Sequence, residues 1–102
     1  MPCTTYTDVF DKSRGVELHV RFHRVRSEVT DYALVLVVEV DGRSETVRVY
    51  DSAHGCNEMH RYTRKLGKRR GVVFHRGTLG EGMRAAQEAI KGGYEEMIDG
   101  WR

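Results

Sequence analysis

Apolar and polar residues alternate in the first third of the chain. In the segment 16–23, every second residue is apolar, and the residues between are charged or histidine. This period of two predicts a strand with one face in the core. The later segment 32–40 is almost entirely apolar and rich in β-branched residues. It predicts a central strand that is covered on both faces.

A hairpin is predicted directly after this central strand. The dipeptide Asp41-Gly42 favours a two-residue type I′ turn, which would let segment 43–51 pair back. With these two residues as the turn, Asp51 ends the returning strand on the face of Val47 and Val49. The predicted opposite pairs are Leu36 with Val47 and Leu34 with Val49.

Two further strands are predicted over 58–63 and 71–75, with the basic segment 66–70 as their connecting loop. Beyond them, Thr78 and Glu81 have the spacing of a capping box, which predicts the start of a helix. Apolar residues then recur at spacings of three and four, at Leu79, Met83, Ala86, Ile90, Tyr94, Met97 and Trp101.

These elements together predict an α+β fold. We expect an antiparallel, meander-like sheet of four or five strands, with one long C-terminal helix packed across it. The chain has 102 residues, of which 39% are hydrophobic, so residues 1–102 should form a single domain with one modest core.

Composition narrows the class of protein further. We expect no membrane association because no apolar run is long enough to span a bilayer. The N-terminal segment lacks the apolar stretch of a secretory signal, and the two cysteines, Cys3 and Cys56, do not make a disulfide framework. A cytoplasmic location is therefore expected.

The charge is unevenly distributed, although the formal net charge is only +2. The segment 60–76 contains no Asp or Glu. Such a basic segment is either a solvated hairpin tip or a surface for a phosphate-rich partner such as RNA. The candidate nucleic-acid-binding residues are Arg61, Arg64, Lys65, Lys68, Arg69 and Arg70.

Candidate catalytic residues surround the end of the returning strand, at Asp51, His54 and His60. Histidines can exchange protons near neutral pH, and a neighbouring carboxylate can orient them. Asp51 would orient, while His54 and His60 would act as base and acid in RNA cleavage without a cofactor. Arg61 and Arg64 would contact the phosphate.

Two other interpretations of the same three residues remain open. Two histidines and one carboxylate are also a ligand set for metals such as non-haem iron, although the spacing is not that of a dedicated motif. Alternatively, Asp51 and His54 are turn residues that bond only to the backbone.

The run Asp51-Ser52-Ala53-His54-Gly55, followed by His60 and a C-terminal helix, resembles a motif of small uncharacterised prokaryotic proteins. Those proteins, including actinobacterial members, carry D-x-A-H-G and a further histidine. Some of them resemble the toxin halves of toxin–antitoxin pairs. The resemblance implies a toxin-like activity and an antitoxin-like protein partner.

Our leading hypothesis from the sequence is a small cytoplasmic, RNA-directed, toxin-like ribonuclease. The alternative is a module without catalytic activity that binds nucleic acid or a protein. A phage-type modulator of a host protein would belong to this second class.

Overall fold

The computed structural model describes residues 3–102. These residues form seven strands followed by one helix. The elements are β1 (Cys3–Asp11), β2 (Val16–Val25), β3 (Glu28–Val40), β4 (Arg43–Asp51), β5 (Asn57–Thr63), β6 (Gly67–Lys68), β7 (Val72–His75) and α1 (Leu79–Trp101).

The strands form one antiparallel meander, in which β1 to β5 lie side by side in chain order. The last two strands, β6 and β7, both pair with the outer edge of β5. The expected α+β class with a C-terminal helix is confirmed, but the expected count of four or five strands is wrong. The additional strands are β1, whose side chains are mostly exposed, and β6, which has two residues. Both therefore lack a strong alternating pattern.

Strand β1 covers one flank of the helix with two aromatic side chains. The Tyr6 hydroxyl accepts a hydrogen bond from the Gln87 side chain at 2.7 Å. Further along the strand, the Phe10 and Tyr94 rings have their centroids 4.9 Å apart. This edge strand is therefore attached to α1 as well as to β2.

The turn between β3 and β4 has the predicted form. Asp41 and Gly42 have φ angles of 53° and 78°, and a type I′ turn needs positive φ at both central residues. From there the strands pair in the expected register as far as Val37 with Thr46. A bulge then adds Val47 to β4, so the predicted pairs beyond it are wrong by one residue. Leu36 lies opposite Arg48, and Leu34 lies opposite Tyr50.

The bulge changes the side of the sheet on which Asp51 lies. Tyr50 joins the core beneath the helix together with Val47, whereas Asp51 lies opposite Ala33. Successive side chains alternate between faces, so Asp51 shares a face with Val49 but not with Val47. The prediction that placed Asp51 on the core face is therefore wrong.

The helix covers only one face of the central strand β3. Tyr32, Leu34 and Leu36 point to the helix and are fully buried. On the other face, Ala33 and Val35 are half-buried and are flanked by neighbouring side chains alone. The expectation that β3 is covered on both faces is wrong. We call the side of the sheet away from α1 the open face.

The helix begins at the predicted position. Thr78 is the N-cap, and Glu81 completes the capping box. The helix continues without a break through Gly92 and Gly93, and Ile90 is fully buried in the core cluster. In the part of the chain that the structure describes, no helix is both long and apolar enough to cross a membrane.

Candidate functional site

Three titratable side chains meet on the open face, where β4 ends and β5 begins. Asp51 lies opposite Glu58, and His60 lies opposite Val49, so the three side chains project from the same face. Asp51, Glu58 and His60 each offer one ligating atom, and these atoms all lie within 4.8 Å of one another. We call these three residues the carboxylate–histidine cluster.

The turn between β4 and β5 brings a second histidine to this cluster. Gly55 closes the turn with a hydrogen bond from its N–H to the Ser52 carbonyl at 2.9 Å. His54 Nδ1 then lies 2.5 Å from Glu58 Oε1. The His54 side chain is 73% exposed, whereas that of Glu58 is 16% exposed. His54 is thus an accessible imidazole whose orientation is held by a largely buried carboxylate.

Asp51 has a structural role in the same turn. Its Oδ1 accepts a hydrogen bond from the Ala53 N–H at 3.2 Å, as aspartates at turns often do. It is Glu58, and not Asp51, that contacts His54. The turn-residue interpretation thus matches the backbone bond of Asp51 but not His54, whose partner is the Glu58 side chain. The Asp51 carboxylate also belongs to the cluster.

His60 is the most buried member of the cluster, with 8% of its surface exposed. Its Nδ1 lies 3.2 Å from the carbonyl oxygen of Arg69. A carbonyl only accepts hydrogen bonds, so Nδ1 carries the proton and donates it. In a neutral imidazole, Nε2 then keeps its lone pair, and this atom faces the Glu58 side of the cluster.

The turn that carries His54 is anchored to the centre of the sheet. The buried Ser52 hydroxyl accepts a hydrogen bond from the Tyr32 N–H at 2.9 Å and donates one to Asp31 at 3.0 Å. The Arg21 guanidinium, 2.8 Å from Asp31, holds the pKa of that carboxyl below its ordinary value, and the Ser52 hydroxyl acts in the same direction. Asp31 therefore stays ionised and keeps the turn in place.

Part of the basic segment lines a cavity on the helix side of the sheet. This cavity has a volume of about 280 Å³ and lies between β4, β5 and the end of α1. Its wall includes Arg48, Arg61 and Arg69, together with Tyr62 and Trp101. We call it the arginine cavity. Within residues 3–102, none of these three arginines has a carboxylate within salt-bridge distance.

Arg48 also has a buried donor without a partner. Its Nε is enclosed and makes no hydrogen bond to any described residue. Arg48 lies directly opposite Arg61 on the neighbouring strand. Like charges in such cross-strand positions destabilise a sheet, so the arrangement favours an anion in the cavity.

The other predicted nucleic-acid-binding residues lie along the β5–β6 hairpin. Arg64 has a structural role, because its N–H donates to the Trp101 carbonyl at 2.7 Å and its guanidinium lies 5.8 Å from the centre of the Trp101 ring. Lys65, Lys68 and Arg70 are exposed. They extend the positive charge of the cavity along the hairpin.

Sequence reasoning missed Glu58 and Arg48. Both lie in strands, where alternating polar residues are usually solvated, so neither was expected to have a role in a site. Their neighbours are set by strand register, which the sequence does not give. The polar pair Asn57-Glu58, between the motif and His60, is the signal that could have indicated Glu58.

Comparison with known proteins identifies the family but no activity. No curated protein matches the chain, and no solved structure does. One family model, described as Domain of unknown function (DUF7718), matches residues 1–101. Because this match covers nearly the whole chain, the protein belongs to the DUF7718 family.

Proposed function

We propose that this protein binds RNA, and that the arginine cavity and the adjoining β5–β6 hairpin contact the RNA phosphates. The observation that carries this proposal is the group of three arginines around one cavity, for which residues 3–102 provide no carboxylate partner. A phosphate could accept hydrogen bonds from several guanidinium groups at once, and arginine is well suited to such paired contacts.

The energetics of the cavity support an anionic ligand. A buried donor without a partner costs about 1–3 kcal/mol, and the Arg48 Nε is such a donor. A bound phosphate would satisfy it and would also relieve the repulsion between Arg48 and Arg61. Tyr62 contributes an aromatic side chain to the same wall, and aromatic rings stack on the bases of single-stranded RNA.

Binding should be measured as a function of salt with a fluorescent single-stranded RNA. The slope of log K against log salt should be about −0.7 per phosphate contact. Arg61→Gln should weaken binding, and the combined change of Lys68, Arg69 and Arg70 to Ser should flatten the slope. Arg26→Gln, which removes an exposed charge in the turn between β2 and β3, should leave the slope unchanged.

Two results of this experiment would contradict the proposal. The first is the absence of binding to any single- or double-stranded RNA at low salt. The second is an equal loss of affinity in Arg61→Gln and in the Arg26→Gln control. A preference for DNA of the same sequence would leave the phosphate contacts intact but would assign the partner to a different nucleic acid.

A second candidate function is RNA cleavage at the carboxylate–histidine cluster. It is favoured by the exposed His54 imidazole, which Glu58 holds at 2.5 Å. In this proposal His54 exchanges a proton with the RNA, Glu58 fixes its orientation, and His60 supplies the second imidazole. Asp51 is the third member of the cluster, with its carboxylate beside the other two ligating groups.

Cleavage of a labelled RNA would test this second function. We expect a bell-shaped pH profile and a decrease of about 10²–10⁴-fold in His54→Ala, because a general acid–base group contributes that much. His19→Ala, which removes an exposed histidine from the same face, is the matched control. A toxin-like protein would also arrest growth when expressed, and His54→Ala would relieve the arrest. Cleavage that is equal in both variants would contradict this candidate.

A further inference from the structure

We propose that Asp51, Glu58 and His60 form a binding site for one divalent transition-metal ion on the open face. Two carboxylates and one imidazole are a ligand set that Zn²⁺, Mn²⁺ and Fe²⁺ accept. The three ligating atoms lie within 4.8 Å of one another, so small side-chain rotations would bring them to a common ion. This ion site does not depend on RNA binding.

The orientation of His60 is the first independent support. More than nine-tenths of this residue is buried, and its Nδ1 donates to the Arg69 carbonyl. Metal-binding histidines almost always use their second nitrogen in this way, because the hydrogen bond fixes the tautomer and the ring plane. The hydrogen bond of His60 within residues 3–102 uses Nδ1, and Nε2 lies near the Glu58 carboxylate, since a Cβ atom at Gly71 would touch both. An ionised carboxylate offers no proton to this nitrogen.

The backbone next to His60 provides a second support. Gly71 lies against both side chains: a Cβ atom at this position would be 2.9 Å from His60 Nε2 and 3.1 Å from Glu58 Oε2. Any side chain here would therefore crowd two of the three ligands. The glycine leaves the nitrogen lone pair and the carboxylate oxygen unobstructed. The backbone from Arg69 to Gly71 forms one side of the site.

The charges of the cluster also favour a cation. Asp51 and Glu58 occupy directly opposite positions on neighbouring antiparallel strands, where two like charges repel each other. His54 compensates Glu58 in part, whereas Asp51 has only the Ala53 N–H as a hydrogen-bond partner in the described chain. A divalent ion between the two carboxylates would convert this repulsion into attraction.

The ligand types limit which ions fit. Imidazole suits the borderline transition metals, whereas Ca²⁺ and Mg²⁺ prefer sites made only of oxygen. Three protein ligands would not fill the coordination sphere of such an ion. The remaining positions would be open to solvent, because the cluster lies on the open face beside the exposed His54. We therefore expect Co²⁺ and Zn²⁺ to bind more tightly than Mn²⁺, and Ca²⁺ to bind least.

Metal binding can be measured on the full chain without RNA. Metal-stripped protein should bind one Co²⁺ or Zn²⁺ per chain in calorimetry, and its Tm should rise with metal concentration, since a ligand of the native state stabilises it. Glu58→Gln and Asp51→Asn should each weaken binding at least tenfold. Glu17→Gln is the matched control, because Glu17 also contacts a histidine on a strand, at 3.3 Å from His19, and lies outside the cluster.

The absorption spectrum of the Co²⁺ complex identifies the ligands. Nitrogen and oxygen ligands give weak visible bands, whereas a cysteine thiolate would add a strong charge-transfer band in the near ultraviolet. Such a band, the absence of binding in the folded parent, or unchanged affinity in both cluster variants would overturn the proposal. If one variant fails to fold by circular dichroism, the other decides the outcome. Loss of RNA binding alone would not affect this result.

Discussion

At the scale of single residues, Asn57 joins the sheet to the start of the helix. Its side chain is 1% exposed, and its Oδ1 accepts a hydrogen bond from the Tyr32 hydroxyl at 2.7 Å. Its Nδ2 lies 3.2–3.3 Å from the carbonyl oxygens of His75, Gly77 and Thr78. Both the oxygen and the nitrogen of this buried amide therefore have hydrogen-bond partners, as burial requires.

The hydroxyl of Tyr32 should make stability depend on pH in the alkaline range. Burial raises the pKa of Tyr32 above its ordinary value of 10.0, with a smaller contribution from Asp51. Above pH 10, this tyrosine ionises in the unfolded chain while the folded protein keeps its proton. The unfolded state is then favoured, so the free energy of unfolding should fall as pH rises.

Tyr32→Phe tests this effect. The variant should be less stable by about 1–3 kcal/mol at neutral pH, because Asn57 Oδ1 loses its buried donor. Its free energy of unfolding, measured with urea from pH 8 to 11, should fall less steeply than that of the parent. Parallel curves for the two proteins would show that Tyr32 ionises equally in both states.

At the scale of elements, the first turn of α1 lies very close to β5. A methyl group at Gly82 would overlap the Asn57 side chain, which cannot move without losing its hydrogen bonds. Later in the helix, a methyl group at Gly92 would have no atom within 4 Å. Close packing on Asn57 therefore requires a glycine at position 82, whereas no packing contact requires one at the exposed position 92.

Alanine substitutions distinguish the packed glycine, Gly82, from the exposed one, Gly92. Gly92→Ala should stabilise the protein by about 1 kcal/mol, because alanine has the higher helix propensity. Gly82→Ala gains the same propensity but should destabilise the protein by about 1–3 kcal/mol, because it overfills a packed contact. Chemical denaturation measures both. Equal stabilisation by the two changes would show that Asn57 adapts to the additional methyl group.

The middle of the helix packs on the sheet through Ile90. This residue is fully buried in a cluster with Leu34, Leu36 and Val47, as the apolar stripe predicts. Ile90→Ala should cost about 2–5 kcal/mol through lost burial and the cavity that remains. Ala89→Gly, at the exposed neighbouring position, should cost only about 1 kcal/mol. A Tm of Ile90→Ala within one degree of the parent would contradict this packing.

The elements also show which features the sequence can predict. The type I′ turn and the capping box follow from local chemistry, and both are present. The bulge at Val47 has no local signature, because Val47, Arg48 and Val49 alternate in the same way with or without it. The bulge decides on which face of the sheet Asp51 lies, and the β4–β5 register decides that Glu58 lies opposite it. The sequence gives neither, so Glu58 could not be assigned to the cluster in advance.

At the scale of the whole molecule, the two candidate surfaces lie on opposite sides of the sheet. The carboxylate–histidine cluster is on the open face, whereas the arginine cavity adjoins the helix. Strands β4 and β5 contribute residues to both surfaces, from opposite faces. Arg69 contributes to both as a single residue, since its carbonyl accepts the His60 hydrogen bond and its side chain lines the cavity. A ligand that contacts both surfaces must therefore pass around the edge of β5, where β6 and β7 are separated by residues 69–71.

A double-mutant cycle on RNA affinity tests whether one ligand reaches both surfaces. Glu58→Gln and Arg61→Gln should have additive effects within about 0.3–0.5 kcal/mol, because separate sites without shared partners do not couple. Arg48→Gln combined with Arg61→Gln is the matched comparison. These two arginines lie opposite each other and line one cavity, so a shared phosphate should couple them by about 0.5–3 kcal/mol. A coupling of about 0.5–3 kcal/mol between Glu58 and Arg61 would instead mean that a single RNA strand passes around the edge of β5. The RNA backbone would then extend from the arginine cavity to the histidines.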